Sequence, residues 1–436
     1  MNPLKKSPKP ILDGLEFIGN PFKQTRFDAS RFTFETIKGS DQDLEYALKF
    51  LYSYNGSVAT YNSYRRELER FLQWSWNVEK TSVLNHRREN IEEFINFCFN
   101  PPLAWIGTKN VSRFVRRAGV RVPNSQWRPF VVNISKQDFR NGIEIDKKQY
   151  SLSQAAAKGV FTALVSFYNY LIEEQLTDAN PVALIRQKSK YIRKEQMKPV
   201  VRRISNLQWD YVLETVEMMA SENPEQHERS LFIMNCLYSM YLRISELVAD
   251  ERSVPVMGDF KRDQDGNWWL HVIGKGNKSR NITVCDDMLN ALKHYRSYLG
   301  LTPLPEPNDK TPLIAKAKGK GSITSTRHIR LIVQTCFDTA FDRMEKDGLV
   351  DDAMDLKVAT VHWLRHTGIS EDVKDRPREH VRDDAGHATM ATTDRYIESD
   401  LRERHASGRK KRVREAVESS SFMGNPKQNF KIHHSK

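Results

Sequence analysis

Residues 361–368, VHWLRHTG, decide how this chain is read. His362 and Arg365 stand three apart, so a helix through them turns both to one face, where they can share one anionic ligand. Three further pieces surround them: YLRISEL at 241–247, GKGNKSR at 274–280 and DAGHATMATTDRY at 384–396. They contribute Arg243 and Glu246, then Lys275 and Lys278, then His387 with Tyr396 nine residues on. Each has an ordinary structural reading when taken alone. Arg243 reads as an ion-pair partner of Glu246, Lys275 as a turn lysine, His362 as a satisfied core histidine and Tyr396 as a packed aromatic. Gathered in this order, they supply what cleavage of a phosphodiester without metal or water needs: a side-chain nucleophile, cations for the phosphoryl oxygens, and an acid for the departing oxygen. A phenol, with a reference pKa near 10, is more acidic than an aliphatic hydroxyl, so Tyr396 suits the nucleophile. The planar forks of Arg243 and Arg365 match two phosphate oxygens and stay charged at any working pH.

The order of these motifs resembles the tyrosine recombinase, or phage integrase, family: an Arg in (G)LRxSEL, a Lys on a β-hairpin, HxLRH, then LGH with a tyrosine about nine residues later. The resemblance covers about 205–400 and reaches more weakly into the first domain. There Thr60, Tyr64, Leu68, Phe71 and Trp74 look like the family's core-binding helix, and Phe167, Tyr168, Leu171 and Asn180-Pro181 like the end of that domain. It implies that His387 hydrogen-bonds the scissile phosphate, that His362 assists proton transfer from Tyr396, and that Lys275 protonates the leaving 5′ oxygen. Lys278, on the same hairpin, rivals Lys275 for that role; Glu246 and His366 are supporting residues, with Glu246 orienting a clamp residue. Two positions depart from the pattern: Tyr241 replaces the glycine before Leu-Arg, and Ala385 the leucine of LGH.

The chain's 436 residues suggest two or three domains with their own cores. Its 68 Lys and Arg against 55 Asp and Glu leave +13, which favours a polyanionic partner, nucleic acid before an anionic membrane. The excess is concentrated: 186–203 holds eight basic residues and one Glu, and 401–436 ten against three. Cys98, Cys236, Cys285 and Cys336 show neither a disulfide framework nor a zinc pattern, and Cys98 and Cys236 fall in apolar helical runs as core residues. No run of 18 apolar residues occurs, so a cytoplasmic protein that does not use the membrane is expected, at the nucleoid when on DNA.

Along the chain, 1–40 reads as an extended arm or partner-contact segment, and 41–185 as a helical domain, by the resemblance a core-binding, SAM-like one, with 103–150 as a possible insertion of unassigned structure. In the helix from Ser57 an apolar stripe of Tyr61, Tyr64, Leu68, Phe71 and Trp74 leaves Arg65, Arg66, Glu69 and Arg70 on the other face, to water or DNA. Residues 186–204 form a basic linker, 205–400 the catalytic domain, and 401–436 a basic tail that either docks on a neighbouring protomer or binds DNA. Helices are expected at 88–99, 151–176, 207–220, 228–241, 286–299, 324–345, 364–373 and around 389–398. A hairpin joins Trp268–Ile273 to Asn281–Val284. The fold class is therefore mainly α with a small antiparallel β-sheet in the catalytic domain, arranged as a two-domain clamp on DNA. DNA contacts are assigned to Arg65, Arg66, Lys188, Lys190, Arg193, Lys194, Arg202, Arg203 and Lys278.

A metal at His362 and His366, four apart, is disfavoured by Arg365 between them and by the lack of a third ligand. GKGNK and AKGKGS are not nucleotide-binding loops, so no cofactor is expected. The reading is a site-specific recombinase acting through a 3′-phosphotyrosine in integration, excision or transposition. Its rivals are a type IB topoisomerase-like enzyme and a catalytically silent architectural DNA-binding protein. The resemblance implies double-stranded DNA bearing a specific site as partner, a tetramer on that DNA, and an accessory recombinase or DNA-bending factor.

Overall fold

The computed structural model describes residues 7–22, 37–134, 138, 142–188, 203–274, 276–394 and 408–409, and the chain divides into two compact units, Met1–Val200 and Val201–Lys436. Both are mainly helical with small sheets.

In the first unit, helices α1 (Ser40–Tyr52), α2 (Val58–Trp74), α3 (Arg88–Phe99), α4 (Gln154–Glu173) and α5 (Pro181–Lys188) enclose an aromatic core. Ser57 and Ser153 cap α2 and α4, accepting from the backbone N–H groups of Thr60 and Ala156. The ring of Phe71 on α2 meets Phe94 of α3 at 5.1 Å and Tyr168 of α4 at 6.1 Å. Helix α5, which runs into the expected linker, starts on Pro181 and is capped by Asn180, whose Oδ1 accepts from Val182 and Ala183. Most of that linker, 189–202, lies outside the described residues.

Two expectations for this unit need correcting. Residues 7–22 do not stand off the unit as a separate arm: Ile11 and Leu12 are buried in the core, and their N–H groups donate to Glu69 at 2.7 and 3.2 Å. Nor is the far face of α2 wholly solvated: Arg66 is exposed, but Glu69 is fully buried and also receives Arg113 at 2.7 Å. Arg70 is mostly covered, donating to the Pro129 carbonyl and lying over the Phe130 ring. Buried charges need partners, and besides Ile11 and Leu12 these come from the 103–150 segment. It contains strands β1 (Ile106–Gly107) and β4 (Phe130–Val131), paired in parallel, and a hairpin of β2 (Phe114–Arg117) and β3 (Val120–Pro123). The two-residue turn of that hairpin, Ala118-Gly119, has positive φ at both positions.

The second unit begins with α6 (Asn206–Glu222) and α7 (Pro224–Ser239). An antiparallel sheet follows, in the order β5 (Phe260–Arg262), β6 (Trp268–Ile273), β7 (Ser279–Thr283). Its inner face lays Phe260, Leu270, Val272 and Ile282 on the core. Helices α8 (Asp286–Tyr298), α9 (Thr326–Lys346), α10 (Val350–Val358), α11 (Val361–Asp375), α12 (Arg378–Ala385) and α13 (Met390–Asp394) complete it. The helix expected to continue to 241 stops at Ser239, because Tyr241 turns left-handed at φ 50°. Cys98, Cys236 and Cys336 are buried, and Cys285 is exposed. Among the described residues no helix is long and apolar enough to cross a membrane.

Candidate active site

Three chain segments converge in the second unit: the turn after α7, the helix α11, and the loop that leaves α12. After Tyr241 the chain makes a short 3₁₀ turn, Ile244–Glu246, which brings the Glu246 carboxylate back onto Arg243. Glu246 is 5% exposed, and all of its acceptor capacity is used. Oε1 receives Arg243 Nη1 at 3.0 Å and Arg280 Nη1 at 2.8 Å; Oε2 receives Arg280 Nη2 at 2.9 Å and the Arg243 backbone N–H at 2.8 Å. Burial raises this carboxyl, but the two guanidiniums outweigh it and hold Glu246 below the ordinary carboxylate range. The Glu246 carboxylate thus accepts four hydrogen bonds and holds the Arg243 and Arg280 guanidiniums side by side.

The Gly-His motif takes its shape from the end of α12. His387 N–H donates to the Arg382 carbonyl and Gly386 N–H to that of Asp383, both at 3.0 Å, which is a Schellman termination. Gly386 has φ 64°, and a Cβ there would come within 2.9 Å of Arg280 Cδ. This left-handed step sends His387 back toward α11. Arg365, 3% exposed on α11, donates through Nη1 to the Tyr241 carbonyl and through Nη2 to the Ala385 carbonyl at 2.6 Å. Arg243 Nη2 donates to the Gly386 carbonyl at 3.2 Å. The His387 ring lies between these cations: Nε2 is 3.2 Å from Arg365 Nη2, and Nδ1 is 3.0 Å from Thr393 Oγ1. Burial, and then Arg365, Arg243, Arg280 and His366, push its pKa down to about 4. Two guanidiniums and an imidazole thus stand around the carbonyls of 385–386, an arrangement able to bind a phosphodiester by charge and by directed N–H groups.

The other expected residues divide as follows. His362 is exposed and His366 half-buried on α11, their rings edge to face at 4.3 Å. Among the described residues no three His, Cys, Asp or Glu side chains stand together as metal ligands. Lys278 is exposed in the β6–β7 turn, where Gly276 and Asn277 take positive φ. Arg65 is half-buried over the Tyr61 ring, Arg66 is exposed and pairs with Glu67 at 2.6 Å, and Arg203 is half-buried. Lys275, Tyr396, Lys190, Arg193, Lys194 and Arg202 lie outside the described residues, as does the side chain of Lys188.

Sequence reading missed Arg280, Arg376 and Thr393. Arg280, two residues beyond Lys278, grips Glu246 with both Nη atoms and donates through Nε to the Asp384 carbonyl at 2.9 Å. Its position on a strand two residues from a candidate lysine was the available signal; Arg376 meets Tyr241 across 135 residues and left none, whereas Thr393 stands six residues after His387 in the same motif.

No protein-family model matches the chain. A tyrosine recombinase XerC of Leptospira interrogans is 26% identical over 269 residues, 61% of this chain and 75% of the relative. A tyrosine recombinase XerD of Oceanobacillus iheyensis is 27% identical over 267 residues, 60% and 77% of the two chains. Among solved structures, the XerH site-specific recombinase in a post-cleavage complex with a palindromic difH substrate aligns at a TM-score of 0.51. It is 15% identical and covers 89% of this chain and 92% of that one, a likeness of fold.

Proposed function

Because this chain is a tyrosine recombinase, we propose that it binds double-stranded DNA and exchanges strands at a specific site through a covalent phosphotyrosine. The observation that carries the proposal is the convergence of Arg243 and Arg365 on the 385–386 carbonyls, with His387 against Arg365 and Glu246 buried beside Arg243. Arg243 and Arg365 neutralise the non-bridging oxygens, and His387 hydrogen-bonds one of them. The Tyr396 oxygen attacks phosphorus, its proton passing by way of His362. The bond from phosphorus to the 5′ oxygen breaks with its electron pair on that oxygen, which takes a proton from Lys275, or from Lys278 as its rival. The phosphotyrosine ester conserves the bond for rejoining, so the step calls for no nucleotide cofactor. A tetramer on DNA and a partner recombinase or bending factor belong to the same proposal, as do DNA contacts by Arg65, Arg66, Arg203 and the basic stretch from Lys188 to Arg202.

A duplex nicked beside the cleavage position tests it, since loss of the short flanking product traps the adduct. The wild type should give a covalent protein–DNA species that Tyr396→Phe does not form; a wild type that binds the DNA and gives no adduct would show a binding protein instead.

A further inference from the structure

Arg376 caps the C-terminal end of α11. Its guanidinium joins three side chains: Nη1 donates to Asp372 Oδ2 at 2.8 Å and to the Tyr241 hydroxyl at 3.0 Å, and Nη2 to Asp384 Oδ2 at 2.6 Å. The Tyr241 hydroxyl donates in turn to Asp372 Oδ2. Asp384 uses its other oxygen to accept from the Thr283 N–H and hydroxyl, at 3.2 and 3.3 Å, which ties α12 to β7.

Two of the residues Arg376 grips bear directly on Arg365. Tyr241 offers Arg365 its own carbonyl, and Asp384 precedes Ala385, whose carbonyl is the other acceptor. Tyr241 is also the residue that stands where the motif carries glycine, and at φ 50° it occupies the backbone region that favours glycine. A side chain with Cβ there costs on the order of 1 kcal/mol or more unless its surroundings over-determine it. Here the ring is 1% exposed, and its hydroxyl is fixed from both sides by Asp372 and Arg376. Gly368 permits this packing: a Cβ there would fall 2.2 Å from the Tyr238 carbonyl and 3.1 Å from Tyr241 Cδ1.

We propose that Arg376 is a positioning residue that acts through Tyr241 and Asp384 to hold the two carbonyls that aim Arg365 at the scissile phosphate. The inference rests on the phosphodiester reading of the site for its consequence in catalysis, but the positioning itself is independent of that reading. Arg376 touches no reacting atom; it stands behind Arg365 as Arg280 stands behind Arg243.

The test compares the wild type with Arg376→Gln, Arg376→Lys, Tyr241→Phe and the double variant Tyr241→Phe/Arg376→Gln, each as the full chain. Single-turnover adduct formation on the nicked duplex at saturating DNA should slow about 10- to 100-fold in Arg376→Gln, the scale of loss that a small misplacement of a catalytic group produces. DNA affinity should stay within about twofold, Lys should recover part of the rate, and the double variant should be little slower than Arg376→Gln alone. A second readout needs no activity: with Arg365 released, the NMR titration midpoint of His387 should move up from its depressed value. If Arg376→Gln does not fold, Tyr241→Phe, which keeps the ring, carries both readouts. Wild-type cleavage rate and an unmoved His387 midpoint in these variants overturn the proposal, as do losses that multiply in the double variant. A wild type without adduct whose His387 midpoint still responds to Arg376→Gln overturns the catalytic reading and supports the positioning.

Discussion

Arg365 Nη2 stands 3.2 Å from His387 Nε2, and since a guanidinium has donors only, this imidazole nitrogen is the acceptor and Nδ1 carries the proton toward Thr393. His387 is thus neutral in the DNA-free protein, its pKa pushed down to about 4 by burial and then by Arg365, Arg243, Arg280 and His366. The unfolded chain takes up this proton near pH 6.5, so the contribution of His387 to stability falls as pH drops from about 6.5 through about 4. NMR of the His387 ring should show the low midpoint in the free protein, a rise in Arg365→Gln, and a rise when a DNA phosphate enters between the cations. A midpoint in the ordinary imidazole range in the free protein would contradict this geometry.

Glu246 is the hub between two arginines, so its loss leaves Arg280 and Arg243 facing each other without a counter-charge. Glu246→Ala should destabilise the second unit by about 3–5 kcal/mol, the usual cost of removing one partner from a buried ion pair. Glu246→Gln, which retains the shape and one acceptor, should cost less in urea unfolding yet still slow cleavage by about tenfold or more. Because the Glu246 pKa is depressed, its contribution is present above the ordinary carboxylate pKa and is lost as pH falls through the folded value.

Gly386→Ala should separate folding from catalysis. The added Cβ meets a left-handed φ of 64° and the Arg280 side chain, so a loss of about 1 kcal/mol or more in thermal unfolding is expected. Displacement of His387 should lower cleavage further than that instability explains. Equal effects on both would mean the turn serves only the fold.

The first unit carries its own acid sensitivity. His86 is buried, its Nε2 2.7 Å from Ser75 Oγ, and burial depresses its pKa to about 4. Between pH 6.5 and about 4 the unfolded state binds the proton and the folded state does not, so stability falls with acidification. From pH 7 to 5.5 the loss should be about 1 kcal/mol. In urea unfolding, His86→Gln should lack this part of the pH dependence; an unchanged dependence would show that other groups are responsible.

The sequence made the helical elements legible wherever apolar spacing was strong, as in α2, α3 and α4. Arg243, Arg365 and His387, which the structure brings together, could be singled out because each sits in a short motif. What could not be read was what lies behind them. Helices α10 and α12 are nine and eight residues long, and β5 is three residues with one buried side chain, too short for a period to stand out. Arg280 meets Asp384 across 104 residues of sequence and Arg376 meets Tyr241 across 135, separations that no local pattern announces. Glu69 looked like a surface charge because its partners, Ile11, Leu12 and Arg113, arrive from segments with no helical pattern.

That last arrangement sets a practical boundary for protein production. Trimming the chain into Ile11 or Leu12 would strip two apolar side chains from the core and remove the N–H donors that share Glu69 with Arg113. Affinity tags and fluorescent fusions therefore belong upstream of Ser7, and a shortened version that starts at the first long helix should express as an aggregating product.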